Sequence, residues 1–277
     1  MTLRPVGPIC QTKDWYDYKS DGLLHRKPAI GPGTLGLAAP PTRQRGKKAV
    51  AMGKCSFVNP VPSGTVAAPK EAFERLRDLN GGAKVSAAQP KASVNWPNGL
   101  RSAAVEQEIL LDGQKILVTR PTDADAKGKN LPTTEQLAEA LRAVPTDQRA
   151  FTKKVFLSPT AAKESTPQQT IAGDAGSGEM TLYPLLEQQT QDDFDNRVMH
   201  ESGHNYQESL WSGGTQAVTA WQVAASADDR RPSPYAANNT GDDFCEFNIL
   251  YNTAKGTPCE EVAKKIYPHR WAKRESY

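Results

Sequence analysis

The 277-residue chain has no apolar run approaching the roughly 18 residues of a membrane-spanning helix, so no membrane span is expected. Its start, Met1-Thr2-Leu3-Arg4-Pro5-Val6-Gly7-Pro8, lacks the apolar centre of a signal peptide, which argues against export by the general route. No internal repeat stands out. Charge of one sign is missing too: 34 Lys and Arg against 31 Asp and Glu leave a net +3, which gives no preference for an acidic polymer. The one basic cluster, Arg43-Gln44-Arg45-Gly46-Lys47-Lys48, has no interleaved aromatics and reads as a solvated linker, so no nucleic-acid partner is expected. Four cysteines, Cys10, Cys55, Cys245 and Cys259, lack the spacing of a zinc finger. With 38% hydrophobic residues the chain can bury one good core.

Histidine is also scarce, with four in all, yet two of them fall in His200-Glu201-Ser202-Gly203-His204. On a helix this H-E-x-x-H spacing stacks two imidazoles one turn apart with a carboxylate between them. A hydrolytic zinc site needs three protein ligands, one open position for water and a base beside it. His200 and His204 can be two ligands and Glu201 the base. Local chemistry predicts the helix: Thr190 and Asp193 form a capping box, and Ser212-Gly213-Gly214 ends it near Trp211.

The third ligand must come from elsewhere. The extended H-E-x-x-H-x-x-G-x-x-H form fails, because Gln207 and Leu210 stand at its Gly and His positions. His25 and His269 lie in no supporting pattern, so an acid is the economical choice. Thr240 and Asp243 suggest a second capping box, opening a helix that Lys255-Gly256 closes. It carries Asp242 and Glu246 one turn apart, with Phe244, Phe247 and Tyr251 on a neighbouring stripe that would be buried.

His-Glu-Ser-Gly-His followed by Tyr235-Ala236-Ala237-Asn238-Asn239-Thr240-Gly241-Asp242-Asp243-Phe244-Cys245-Glu246 resembles zincin metallopeptidases of the anthrax lethal factor and Pro-Pro endopeptidase type. It is also similar to metallopeptidase modules of bacterial toxins and effectors. The resemblance spans about residues 150 to 255. It implies that Tyr235 stabilises the oxyanion, that Asp242 binds zinc, and that Glu246 hydrogen-bonds a zinc histidine from behind. The family usually has glutamate where Asp242 stands. Either the second helix lies closer to the first, or the longer Glu246 is the ligand and Asp242 orients it; the register from Tyr235 favours Asp242. Read without the resemblance, Tyr235 is a turn tyrosine after Pro-Ser-Pro, and Trp211 and Trp221 are core residues.

The implied fold is α+β and zincin-like: a small mixed sheet with an antiparallel edge strand above the active-site helix, then a mainly helical C-terminal subdomain. Strands are expected at Lys153 to Ser158 and Glu179 to Tyr183, with a loop between them. In zincins the strand nearest the helix is an edge to which a peptide adds itself. Upstream, Glu108-Ile109-Leu110-Leu111, Asp112-Gly113 and Lys115-Ile116-Leu117-Val118 spell a hairpin, and helices are expected at Thr134 to Ala143 and Pro69 to Leu79. Residues 1–66, rich in Pro and Gly, are expected to be extended and docked only in places, with the domain proper at 67–277. A Cys245–Cys259 disulfide would lock the second helix; the alternative is a small buried thiol at Cys245.

The expected activity is zinc-dependent endopeptidase action on a peptide or protein, with one Zn2+ and Glu201 as general base. The alternatives are a catalytically silent zinc-binding effector that captures a partner protein, a structural metal site, and a peptidase of cell-wall peptides. The resemblance to toxins and effectors implies a secreted protein or one delivered by a specialised bacterial secretion system, with an immunity protein as a candidate partner; if its cysteines form bridges, it works in an oxidising space such as the periplasm.

Overall fold

The computed structural model describes residues 55–162 and 171–277. Cys10, the basic cluster at 43–48 and the first 54 residues of the Pro/Gly-rich region lie outside the described residues, as does 163–170 in the loop between the expected strands.

Local sequence chemistry lays down the sheet. Strands β1 (Lys84–Val85), β2 (Gln89–Asn95), β3 (Arg101–Leu111) and β4 (Gln114–Arg120) come first. Asp112 and Gly113 both take positive φ, 51° and 82°, the turn whose twist matches an antiparallel pair. Leu111 therefore pairs with Gln114 and the β3–β4 ladder runs on in register to Val105 and Arg120. β1 and β2 lie end to end along the other edge of β3, both antiparallel to it. Beyond β4 the sheet turns parallel through β5 (Lys154–Leu157) to β7 (Glu179–Leu182), and it closes with β6 (Gly173–Gly176), antiparallel to β7. The order is β1-β3-β4-β5-β7-β6, with β2 beside β1 on β3. This is a mixed α/β architecture with an antiparallel edge.

The edge strand β6 lies where the sequence suggests only loop. Gly173-Asp174-Ala175-Gly176 has no β-branched or aromatic residue to announce a strand. The legible signal is the next dipeptide, Ser177-Gly178, whose positive φ values of 56° and 81° make a second tight hairpin turn.

The described helices are α1 (Lys70–Leu79), α2 (Asp123–Ala126), α3 (Thr134–Ala143), α4 (Thr146–Arg149), α5 (Gln191–Trp211), α6 (Thr215–Ala227), α7 (Thr240–Ala254), α8 (Glu260–Ile266) and α9 (Pro268–Glu275), of which α3 and α5 pack on the sheet. The Thr190–Asp193 capping box forms as expected at the head of α5, whose 21 residues span about 31 Å. α7 differs at its start. Its cap is Asn239, whose side chain accepts from the Asp242 amide, and Asp243 makes no box with Thr240. Asp243 is instead drawn into the interior by Arg270 and Trp221.

One core joins these layers. Ile109, Leu111, Ile116 and Val118 of the hairpin meet Leu137 and Leu141 of α3 and Val198 and Met199 of α5; Phe244, Phe247 and Tyr251 of α7 pack with Trp221, Tyr267 and Trp271. Full burial of each such side chain stabilises the fold by about 1.5–3 kcal/mol. Trp221 is fully buried as expected, while Trp211 is half-buried at the margin.

The helices α5 and α7 touch at Gly203. A β-carbon there would stand 3.1 Å from the Cys245 sulfur and 3.5 Å from its Cα, so the absence of a side chain sets how near α7 can lie. That packing also decides the cysteines. Cys245 points into α5 and is a free buried thiol, while Cys259 bonds to Cys55, which rules out a Cys245–Cys259 bridge. Residues 55–66 thus belong to the packed domain: a short 3-10 turn at Ser56–Val58 leads into the core, where Cys55, Val58 and Val66 are buried.

Candidate metal centre

The middle of α5 faces a cleft of about 280 Å3 lined by Gly173, Glu201, His204, Tyr235, Asn239 and Asp242 among others. Helical spacing puts the His200 and His204 rings 5.0 Å apart between centroids, edge to face. From α7, Asp242 Oδ1 lies 3.7 Å from His200 Nε2 and 3.5 Å from His204 Nε2. Donors about 2.0–2.1 Å from a tetrahedral zinc stand about 3.4 Å from one another. Two nitrogens and one carboxylate oxygen therefore have the chemistry of a three-ligand site, and both nitrogen–oxygen distances are close to the spacing it needs.

The alternative ligand, Glu246, faces another way. Its Oε1 lies 2.9 Å from Nδ1 of His200, on the side of the ring away from Asp242. Its Oε2 accepts from the Ser233 hydroxyl at 2.6 Å and from the Val66 amide. Fixing one imidazole nitrogen by a carboxylate leaves the other, unprotonated, free to bind a metal. Asp242 is itself held, because Asn239 donates from Nδ2 to its Oδ2 at 2.8 Å while capping the helix through its own Oδ1.

A second group of donors shares the two histidines: single donor atoms of His200, His204 and Cys245 all lie within 4.8 Å of one another, a group that could hold a metal ion. The two possible third ligands are not equivalent. Cys245 is fully buried between α7 and Gly203 and is not part of the cleft lining, and burial pushes its thiol well above the usual range, so the thiolate a metal needs is disfavoured. Asp242 lines the cleft and is an anion already.

Electrostatics agree. Burial alone would discourage charge on His200, but the nearby Asp242 carboxylate and the hydrogen-bonded Glu246 outweigh it and hold the imidazolium up to about 10. Burial also works against the Asp242 carboxylate, yet His200 and His204 overcome it and lower its pKa far below the ordinary range. In the metal-free protein, protons thus supply the positive charge that the acids demand. Burial raises the Glu201 carboxyl, with His200, His204 and Arg197 opposing, which moves it toward the range of a working base.

Glu201 sits against the edge strand. A β-carbon on Gly173 would overlap its carboxylate, so a side chain there would push Glu201 out of its present place. Arg197, one turn earlier on α5, donates to the carbonyls of Ala172 and Tyr183 and so fastens the start of β6 and the end of β7 to that helix. Tyr235, on a one-turn 3-10 helix at Tyr235–Ala237, stands at the rim, 39% exposed, its ring 5.5 Å from that of His200. Burial and then the carboxylates of Asp242 and Glu201 push its hydroxyl up to about 12, so it remains a hydrogen-bond donor.

All six residues singled out from the sequence, His200, Glu201, His204, Tyr235, Asp242 and Glu246, meet in this one place. Four contributors were not singled out: Asn239, Ser233, Arg197 and Gly173. Asn239 stands inside the Tyr-Ala-x-x-Asn string and could have been found there; the others act through contacts that no spacing reveals. No protein-family model, curated protein or solved structure matches the chain.

Proposed function

We propose that the protein is a zinc-dependent endopeptidase of zincin-like architecture. The observation that carries this reading is the approach of Asp242 Oδ1 to both Nε2 atoms, with Glu201 in the same cleft. His200, His204 and Asp242 hold the ion, and Glu246 fixes the His200 ring from behind. When bound, zinc supplies a Lewis acid that polarises a carbonyl and makes water more acidic. Glu201 takes a proton from the attacking water and passes it to the nitrogen of the departing amine. The Tyr235 hydroxyl donates to the carbonyl oxygen as negative charge develops there. An extended peptide pairs with the outer edge of β6, which brings its scissile bond over Glu201.

The delivery route belongs to the proposal as well. Among the described residues no helix is long and apolar enough to cross a membrane. A disulfide suits an oxidising space, which agrees with a bacterial effector or toxin acting outside the cytosol on a protein or cell-wall peptide, with an immunity protein as its natural antagonist. The test is metal analysis together with peptide-library digestion, comparing the wild type with Glu201→Gln. One equivalent of zinc in both proteins, and cleavage by the wild type alone, is the expected result. Zinc in both with identical biological effect and no cleavage in either would mean a silent binding module instead.

A further inference from the structure

The chain before α1 does more than cover the core. Val66 donates its amide to Glu246 Oε2, the carboxylate that holds His200. Two residues earlier, the carbonyl of Gly64 accepts from the amide of Tyr235 at 3.3 Å, and the Val61 amide donates to the Pro232 carbonyl at 3.0 Å. Ala68 then exchanges hydrogen bonds with the side chain of Asn196 on α5, at 2.9 and 3.3 Å. One strip of chain thus grips the Glu246 carboxylate, the backbone of Tyr235 and the active helix. Glu246 is fully buried and has three partners, one of them supplied by this strip. The strip is anchored at its head by Cys55–Cys259, a bond to the start of α8 across 204 positions of sequence.

We propose that residues 55–68 are a redox-held strap that completes the catalytic centre, so that the enzyme is assembled under oxidising conditions and relaxed under reducing ones. The proposal rests on the peptidase reading for its consequence, though not for its geometry. A dithiol reductant supplies two electrons and two protons and leaves as its own disulfide; the Cys55–Cys259 bond becomes two thiols. With the anchor gone, what holds the strap among the described residues is the burial of Val58, Val66 and Ala68, the packing of Phe57 and its hydrogen bonds. When it lifts, Glu246 loses the Val66 amide and Tyr235 loses its tie to Gly64. His200 then loses its fixed orientation, and Tyr235 its fixed position at the rim. A chain made in a reducing cytosol would carry an incompletely ordered site, and oxidation after delivery would finish it. Val66 and Gly64 act only through other residues and are positioning elements.

The decisive measurement is hydrogen–deuterium exchange on the full chain, oxidised and after treatment with a dithiol, paired with zinc titration of each form. Amides of 61–68 should exchange at least about tenfold faster after reduction while those in the middle of α5 keep their protection. Zinc affinity should fall by about tenfold, the usual effect of losing a partner behind a metal ligand, and reoxidation should restore it. A Cys55→Ser/Cys259→Ser variant should behave as the reduced form without any reductant present. Equal exchange in both forms would overturn the strap, and so would a rise in 61–68 and α5 together, since the bond would then be only a global staple. If the oxidised protein binds no zinc, the peptidase reading fails on its own account. If both forms bind zinc equally well, the strap alone fails.

Discussion

Asp242 and Asp243 are neighbours on the first turn of α7, both nearly buried, and their surroundings are opposites. Asp243 faces inward to a permanent cation. Arg270 gives it two hydrogen bonds, at 2.6 and 3.0 Å, Trp221 adds a third at 2.8 Å, and the same guanidinium reaches Asp228 at 3.1 Å. Asp242 faces the cleft and two imidazoles, groups that can exchange a proton for a metal ion. A carboxylate matched by arginine is a finished structural contact, because guanidinium keeps its charge at any relevant pH. One matched only by histidines can exchange protons for another cation. The difference separates a strut from a site on a single helical turn.

The largest effect should come from the cleft. On the proposed peptidase reading, Glu201→Gln keeps size and hydrogen bonding but loses the base, so peptide hydrolysis should drop about a thousandfold while zinc content stays at one equivalent. Unchanged turnover would remove Glu201 from the chemistry. On the other side of the turn, Arg270→Met should leave two buried carboxylates uncompensated and lower stability by about 3–5 kcal/mol in denaturant unfolding. Zinc content per folded molecule should hardly change. If zinc is lost in the still-folded protein, strut and site are one unit and the contrast is false. Tyr235→Phe should come next, lowering kcat by about a hundredfold with little change in zinc affinity; a pure KM effect would make Tyr235 a binding residue.

Protonation sharpens the contrast further. His200 is raised from its ordinary 6.5 to about 10 in the metal-free fold, so its contribution to stability is complete below about 6.5 and is lost as pH rises toward 10. Asp242 is depressed, so its contribution is present above the normal carboxylate range and is lost only in strong acid. The metal-free protein should therefore lose thermal stability between pH 6.5 and 10, and saturating zinc should abolish that slope. Zinc affinity should rise over the same interval, because the ion must displace the His200 proton. A flat melting profile without metal would mean that His200 is neutral in the folded protein.

Much of this was legible in the chain because it is local. Capping at Thr190 and the Asp112-Gly113 turn are decided within a few residues, and the elements α5 and the β3–β4 hairpin follow them closely. The histidines and Glu201 were readable because a helix turns sequence spacing into distance. Contacts between elements were not. The choice between Asp242 and Glu246 depends on how near α7 lies to α5, which Gly203 sets. Strand β6 has no propensity of its own and exists because Met180 and Leu182 on β7 offer it a ladder. The Cys55–Cys259 bond joins segments 204 positions apart, which no local signal can pair.

The smallest expected effect tests the donor set itself. Cys245 shares its surroundings with both histidines, within 4.8 Å in donor distance, and imidazole and thiolate are both zinc donors. Its sulfur is nonetheless turned into Gly203 and toward Gln207 Oε1, 3.9 Å away. Cys245→Ala should therefore leave zinc affinity and turnover within about twofold and remove about 1 kcal/mol of packing. Asp242→Ala, by contrast, should forfeit at least about a hundredfold in affinity, because the remaining imidazoles bind zinc without an anionic partner. A reversal of these two results would move the ion from the cleft into the seam between α5 and α7. No extended peptide could reach it there, and the same cluster would become a structural clamp between helices rather than a centre of hydrolysis.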